Sequence, residues 1–281
     1  ELLICDDCSS DNTSQILNQF NDPRIRKFRN ENNLGYLRTC NFLFAQCAGS
    51  FITFQDADDY CSPDRLQKLI NAFNLFPDAA MIGSYAKIVD ESGAFIRNDE
   101  RELSYKSILE NLPVKSQFNG ATVMFKKMIL KTIGGYREYF NEFAYQDYDW
   151  TYRIAEKYVS INIPEYLYSY RQQPNSNSKK ISPKRAISHQ LVLWLARDRA
   201  KNKNDYLDRG EVTPVNQFVE DTLLPYHNDP SLIYREYASS FMYSRLYRQA
   251  ISASILAIKS RPLKFVNIRT LLYCLRKSLL S

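Results

Sequence analysis

Histidine is almost missing from this 281-residue chain, with His189 and His227 the only two. Catalytic schemes built on imidazole therefore have little material. Glycine is scarce as well, at 8 residues, which excludes collagen-like and Gly-rich repeat chains. No strand runs into G-x-G-x-x-G, so a dinucleotide-dependent oxidoreductase has no support. No window approaches about 18 uninterrupted apolar residues, and no transmembrane helix is expected. A charged segment with an apolar stretch behind it is absent from the start, so no secretory signal is expected. The chain opens at Glu1, already inside what reads as a buried strand. An upstream segment is expected to be missing.

Acidic side chains are absent from Tyr237 to Ser281, where eight basic residues stand, leaving 29 basic against 31 acidic residues in 1–236. The tail is thus a basic helical block. A helix expected at Leu263–Leu280 sets Phe265, Val266, Ile268, Leu271, Leu272, Leu275 and Leu279 on one apolar face. Arg269, Arg276 and Lys277 flank that face. Such a helix suits an anionic membrane surface, although packing on its neighbours explains the same pattern. No nucleic-acid motif accompanies the charge, so no nucleic-acid partner is expected. The six cysteines include Cys5-x-x-Cys8, with no second pair at zinc spacing. Scattered reduced thiols point to a cytoplasmic location.

The first 165 or so residues alternate strand and helix signals. Strands are expected at Glu1–Cys5, Arg24–Phe28, Phe51–Gln55, Ala79–Ser84, Thr122–Phe125 and Ser160–Ile163, with helices at Thr13–Phe20, Tyr36–Cys47, Arg65–Phe76 and Tyr145–Tyr158. This rhythm predicts an α/β fold with a mostly parallel central sheet flanked by helices. Ligands of such sheets bind beyond the carboxyl ends of the strands. Pro174–Pro183 reads as a polar linker, and only helical signals follow it.

Three acidic constellations sit where ligands would bind. Asp6 and Asp7 end the first strand, where carboxylates can accept hydrogen bonds from a nucleobase or ribose. Asp56, Asp58 and Asp59 follow the strand at Phe51 within four positions. Carboxylates so close repel, and a divalent cation such as Mg²⁺ or Mn²⁺ removes the conflict. An acidic turn ahead of a helix is the plainer explanation. Asp147 opens a later helix, where it suits either the helix dipole or general-base work. Asp149 and Arg153 stand at i,i+4 and are expected to pair on the surface.

Order and spacing add to this. Strand–Asp6-Asp7-Cys8-Ser9, strand–Asp56-Ala57-Asp58-Asp59 and the helix start Asp147-Tyr148-Asp149-Trp150 form a series. Asn33-x-Gly35, Asn41, Ala48-Gly49, Gly134-Gly135-Tyr136-Arg137-Glu138 and Tyr170-Arg171 accompany it. As a set this resembles the family-2 glycosyltransferases of the A-type fold, over Glu1 to Ser178. The resemblance implies a catalytic domain at 1–178, lacking its first strand and helix, and a helical region at 179–281. It implies inverting transfer of a hexose from a UDP-, GDP- or dTDP-sugar to a glycan or lipid-linked acceptor. Asp6 and Asp7 would meet the base, Asp56 the ribose and metal, and Asp58 the Mg²⁺ or Mn²⁺ on the diphosphate. Asp147 would be the general base, with Asp149, Trp150, Arg153 and Arg171 as acceptor contacts or support. Two positions depart from the family pattern: Gln146 stands where many relatives have Glu, and Gln173 where many have His. A non-catalytic sugar-nucleotide-binding module and a nucleotidyltransferase remain as alternatives, the latter weakened by the missing Gly-rich phosphate loop. A place at the inner face of the plasma membrane would suit lipid-linked acceptors.

Overall fold

The computed structural model describes residues 1–173 and 180–279. The chain divides into two compact units, Glu1–Gln173 and Pro174–Ser281. The boundary expected at 178/179, most of the polar linker and the end of the helix expected at Leu263–Leu280 lie outside the described residues.

The first unit begins with β1 (Leu2–Asp6), α1 (Thr13–Asn18), β2 (Ile25–Arg29) and α2 (Tyr36–Gln46). Next come β3 (Phe51–Thr53), β4 (Tyr60–Cys61), α3 (Arg65–Leu75), β5 (Met81–Val89), β6 (Phe95–Asp99) and α4 (Tyr105–Asn111). A 3₁₀ turn at Gly120–Thr122 leads to β7 (Met124–Lys126) and α5 (Met128–Thr132), then α6 (Gln146–Lys157) and β8 (Ser160–Arg171). β1 and β2 pair in parallel, and six other strands form a second sheet in the order β3-β7-β5-β8-β4, with β6 also on β5.

That sheet is mixed rather than mostly parallel: β5 pairs with β8 in parallel, while the β3–β7, β5–β7, β5–β6 and β4–β8 pairs are antiparallel. Local turn chemistry is one reason. Asp90 Oδ1 accepts from the backbone N–H of Ser92 and Ala94, and Gly93 adopts φ +88, folding β6 straight back on β5. β8 is the other. It is 12 residues long and continues through Pro164, with a register break against Tyr85, and its far end pairs with β4. β4 and β6 are short and exposed, so neither carries the apolar alternation that marks a strand.

β5 is buried along nearly its whole length, as a central strand covered on both faces must be. Leu69, Ala72 and Phe73 of α3 pack on Ile82, Met124, Ile161 and Leu167. At Gly83 a Cβ would stand 2.1 Å from Asn162 Oδ1. The open position lets the Asn162 amide reach the Glu102 and Gln117 carbonyls at 2.7 and 2.9 Å. The sheet thereby holds both ends of the loop between them.

A second knot is aromatic. Trp150 is fully buried among Phe44, Phe125 and Tyr136, with ring centroids 4.8 to 5.8 Å away, and its Nε1 donates to the Gly134 carbonyl. Beside it lies the Asp149–Arg153 pair, which is buried rather than at the surface. Arg153 also donates to the Ile133 and Gly135 carbonyls, and Arg137 reaches Asp149 at 3.3 Å. Those loop carbonyls need donors, and that demand draws the pair inward.

The second unit is helical: α7 (Pro183–Asn202), α8 (Val212–Asn228), α9 (Leu232–Tyr243), α10 (Tyr247–Ser260) and α11 (Phe265–Leu279). Small side chains at Ala238, Ala250 and Ala253 let α9 and α10 approach closely. Asp229 accepts from Arg235, Lys264 and Ser231, and these partners outweigh burial to hold its carboxyl below the usual range. Along α11, Phe265, Ile268, Leu272, Leu275 and Leu279 are exposed, while Val266 and Leu271 are half-buried.

Asp149→Ala leaves Arg153 and Arg137 facing an empty buried site. It should lower unfolding stability by about 3–5 kcal/mol in a urea titration, whereas a surface pair would lose less than about 1 kcal/mol.

Candidate active site

Three chain segments converge beyond the ends of β1, β3 and β8. The acidic turn after β3 is built by long-range contacts rather than by its own sequence. Arg65, the first residue of α3, is only 2% exposed and donates to the Phe54 and Ala121 carbonyls at 2.7 Å and to Thr53 Oγ1 at 2.8 Å. Its guanidinium lies 4.9 Å from the Tyr168 ring centroid. The buried Tyr168 hydroxyl accepts from the Asp56 backbone N–H at 3.1 Å and donates to Asp59 Oδ2 at 2.9 Å. The other Asp59 oxygen accepts the Arg171 backbone N–H at 2.7 Å. Asp59 and Arg171 thus tie the turn to β8. Asp58 is left exposed and Asp56 half-buried, with Tyr36 Oη donating to Asp56 Oδ1 at 3.3 Å.

Electrostatics mark the same spot. Burial, then the charge of Asp59, with Asp58 and Asp147 adding to it, pushes the Asp56 carboxyl up to about 6 against the Tyr36 hydrogen bond. Burial raises Asp147 as well, opposed by the backbone N–H groups of Tyr148 and Gly120 and by Arg101. Asp147 enters from α6 after Tyr145, a non-glycine residue at φ +64. Such a left-handed residue stores strain and redirects the chain into the helix. Gly120 makes room for Asp147: a Cβ there would stand 2.8 Å from its Cβ and 3.0 Å from its Oδ2.

Asp6 and Asp7 are placed at the end of β1. Asp6 Oδ1 accepts the Ser9 N–H at 2.8 Å, while its buried Oδ2 makes no hydrogen bond and lies 3.6 Å from Arg29 Nε. Asp7 accepts from Asn30 Nδ2 and from the Leu34 and Gly35 N–H groups at 2.7 to 2.9 Å. Those bonds outweigh burial and hold it below the ordinary carboxylate range. Asp7 therefore shapes the loop at 30–35, with the Thr39 hydroxyl acting on it as well. Asp149, Trp150 and Arg153 lie in the core behind Asp147, as support rather than lining.

Among the described residues, no three His, Cys, Asp or Glu side chains are grouped to hold a metal ion unaided. The donor set still fits a hard cation. Asp56 and Asp58 offer carboxylate oxygens in a place where Asp56 suffers from uncompensated negative charge. One or two carboxylates completed by phosphate oxygens is the usual Mg²⁺ arrangement.

Sequence reasoning missed Tyr36, Arg65, Gly120 and Tyr168, and left Asp59 in the acidic cluster with no role of its own. Tyr168 is one of the alternating tyrosines of β8, and nothing local separates it from Tyr166 or Tyr170.

The sheet and the carboxylates at its strand ends define an A-type glycosyltransferase fold. Residues 1–134 match the family model described as Glycosyl transferase family 2, and the N-terminal unit is a glycosyltransferase domain of that family. The chain is 26% identical over 211 residues to the putative glycosyltransferase EpsE of Bacillus subtilis (strain 168), covering 72% of each protein. It is 34% identical over 113 residues to an Escherichia coli protein, the UDP-Glc:alpha-D-GlcNAc-diphosphoundecaprenol beta-1,3-glucosyltransferase WfgD, covering 40% of this chain and 44% of that one. The crystal structure of S. aureus TarS 1-349 in complex with UDP superposes with a TM-score of 0.51 at 17% identity, covering 99% of this chain and 80% of that one. At that identity the likeness is one of fold.

Tyr168→Phe keeps the ring under Arg65 and removes both hydroxyl bonds. It should cost about 1–2 kcal/mol of stability and lower donor turnover. Full turnover with unchanged stability would show that the turn holds itself.

Proposed function

We propose that this chain transfers a hexose, with inversion, from a nucleotide-diphosphate sugar to a glycan or lipid-linked acceptor. The observation that carries this reading is that Asp147, at the start of α6, stands close enough to Asp56, in the turn after β3, for its charge to act there. The two carboxylates are far apart in sequence, and both are raised by burial. The nucleotide-sugar donor is supported by the UDP bound in the TarS structure and by the UDP-Glc named for WfgD. WfgD's diphosphoundecaprenol substrate supports a lipid-linked acceptor.

Asp7 takes the nucleotide side at the end of β1, while Asp6, buried against Arg29, supports that strand end from behind. Asp56 and Asp58 would hold Mg²⁺ or Mn²⁺, which when bound would offset the diphosphate charge as the glycosidic bond breaks. Asp147 takes the proton of the acceptor hydroxyl, and burial gives its carboxylate the basicity the task needs. The acceptor oxygen attacks from the face opposite the leaving diphosphate. One displacement without a covalent intermediate inverts the anomeric centre.

The site works at the cytoplasmic face of the membrane. Among the described residues no helix is long and apolar enough to cross a bilayer. The exposed stripe Phe265, Ile268, Leu272, Leu275 and Leu279, beside Arg269, Arg276 and Lys277, suits contact with an anionic surface instead. Leu272→Glu should lower co-sedimentation of the full chain with phosphatidylglycerol vesicles, and phosphatidylcholine vesicles should bind weakly throughout. Equal binding by variant and parent removes α11 from the contact.

Nucleotide release from a panel of UDP-, GDP- and dTDP-sugars, with Mn²⁺ or Mg²⁺, tests the reaction. Asp58→Ala should abolish metal-dependent turnover, and Asp147→Asn should slow transfer by about 10²–10⁴. A base works deprotonated, so the rate should rise with pH. Because burial raises Asp147, that rise falls above the ordinary aspartate pKa of about 3.9. Turnover indifferent to metal and to Asp58→Ala would sink the metal assignment. Nucleotide binding without turnover of any donor would point to a binding module.

A further inference from the structure

Arg101, whose charge acts on Asp147, lines a cleft outside the carboxylate cluster. The cleft has a volume of about 470 Å³, within the range of small-molecule sites, and its walls include Tyr85, Glu100, Arg101, Glu102, Ser104 and Lys115. Its link to the reaction centre runs through named contacts. Gly120 packs on Asp147, Asn119 Nδ2 donates to Asp99 Oδ2 at 3.4 Å, and Asp99 Oδ1 lies 2.8 Å from Arg101 Nη2. The charge of Arg101 reaches Asp147.

The lining has a definite chemistry. Tyr85 packs on Tyr166 across the β5–β8 pair, with ring centroids 5.4 Å apart. Tyr166 is held in turn by Glu100 and by Asn98 Nδ2 at 2.8 Å, so the aromatic wall is braced from behind. Glu100 and Glu102 stand close enough to Tyr85 for their charges to act on its phenol. Arg101 Nε is buried without a hydrogen-bond partner. Two carboxylates and two cations nearly cancel, so the cleft suits a neutral ligand rich in hydroxyls. An aromatic face against ring C–H groups, with carboxylates taking hydroxyl protons, is how a protein holds a pyranose.

We propose that this cleft is the subsite for the acceptor's terminal sugar, a neutral pyranose laid on Tyr85 with its hydroxyls on Glu100 and Glu102. The assignment rests on the transferase reading for the word acceptor, though not for the binding itself. Saturation-transfer NMR on the full chain, with the methyl glycosides of glucose, galactose and N-acetylglucosamine as probes, tests it without any donor turnover. A failed donor assay and a failed sugar site therefore give different patterns. At least one glycoside should bind, about tenfold more weakly in Tyr85→Ala and with little change in Tyr85→Phe, which keeps the ring. Glu102→Gln, at an exposed position outside the core, should also weaken it and covers the case where Tyr85→Ala does not fold. Binding indifferent to both Tyr85→Ala and Glu102→Gln, competition by inorganic phosphate in place of sugar specificity, or no binding of any probe would each overturn the proposal.

Discussion

A single phenol hydroxyl carries the acidic turn. Tyr168 accepts from the Asp56 backbone and donates to Asp59, and its ring supports the buried Arg65 guanidinium. Arg65 in turn gathers the Phe54 and Ala121 carbonyls and Thr53. A buried cation is costly unless its donors are used, and here most of them close the end of β3. Without that clamp, four residues carrying three carboxylates would splay toward water. With it, Asp59 is spent on structure and Asp56 and Asp58 are presented together.

The same arrangement concentrates negative charge where burial makes it expensive. Asp56 sits above the ordinary carboxylate range through burial and its carboxylate neighbours, and Asp147 through burial. The core behind them is organised differently. Asp149 is compensated by Arg153 and Arg137, and Trp150 is locked by ring contacts and one hydrogen bond to Gly134. One helix, α6, therefore carries a neutralised carboxylate inward and a frustrated one outward, two residues apart.

Much of this was legible in the sequence. Apolar runs ending in Asp6-Asp7 and Asp56-Ala57-Asp58-Asp59 announced strands with ligand-facing ends, and every expected helix is present within a few residues. Features that depend on partners far along the chain could not be read. The mixed sheet comes from a hairpin and from one long strand that passes a proline. The depth of the Asp149–Arg153 pair comes from loop carbonyls that no i,i+4 pattern reveals. Tyr168 matters because β8 delivers it to β4, a pairing of two residues that leaves no mark in the pattern.

The Gly83–Asn162 crossing has a consequence for how such a protein can diversify. The segment from Glu102 to Gln117, which carries α4, is gripped by its backbone through the Glu102, Leu103 and Gln117 carbonyls and anchored by the buried Ile108 and Leu112, while Ser104, Lys106 and Lys115 are exposed. Surface positions such as 104, 106 and 115 can therefore be rewritten without disturbing the sheet beneath. The grip itself tolerates almost nothing, since any side chain at position 83 collides with the amide that makes it. The exposed side of the segment is a rewritable surface on a fixed mount, and its chemistry can drift there while the fold stands still.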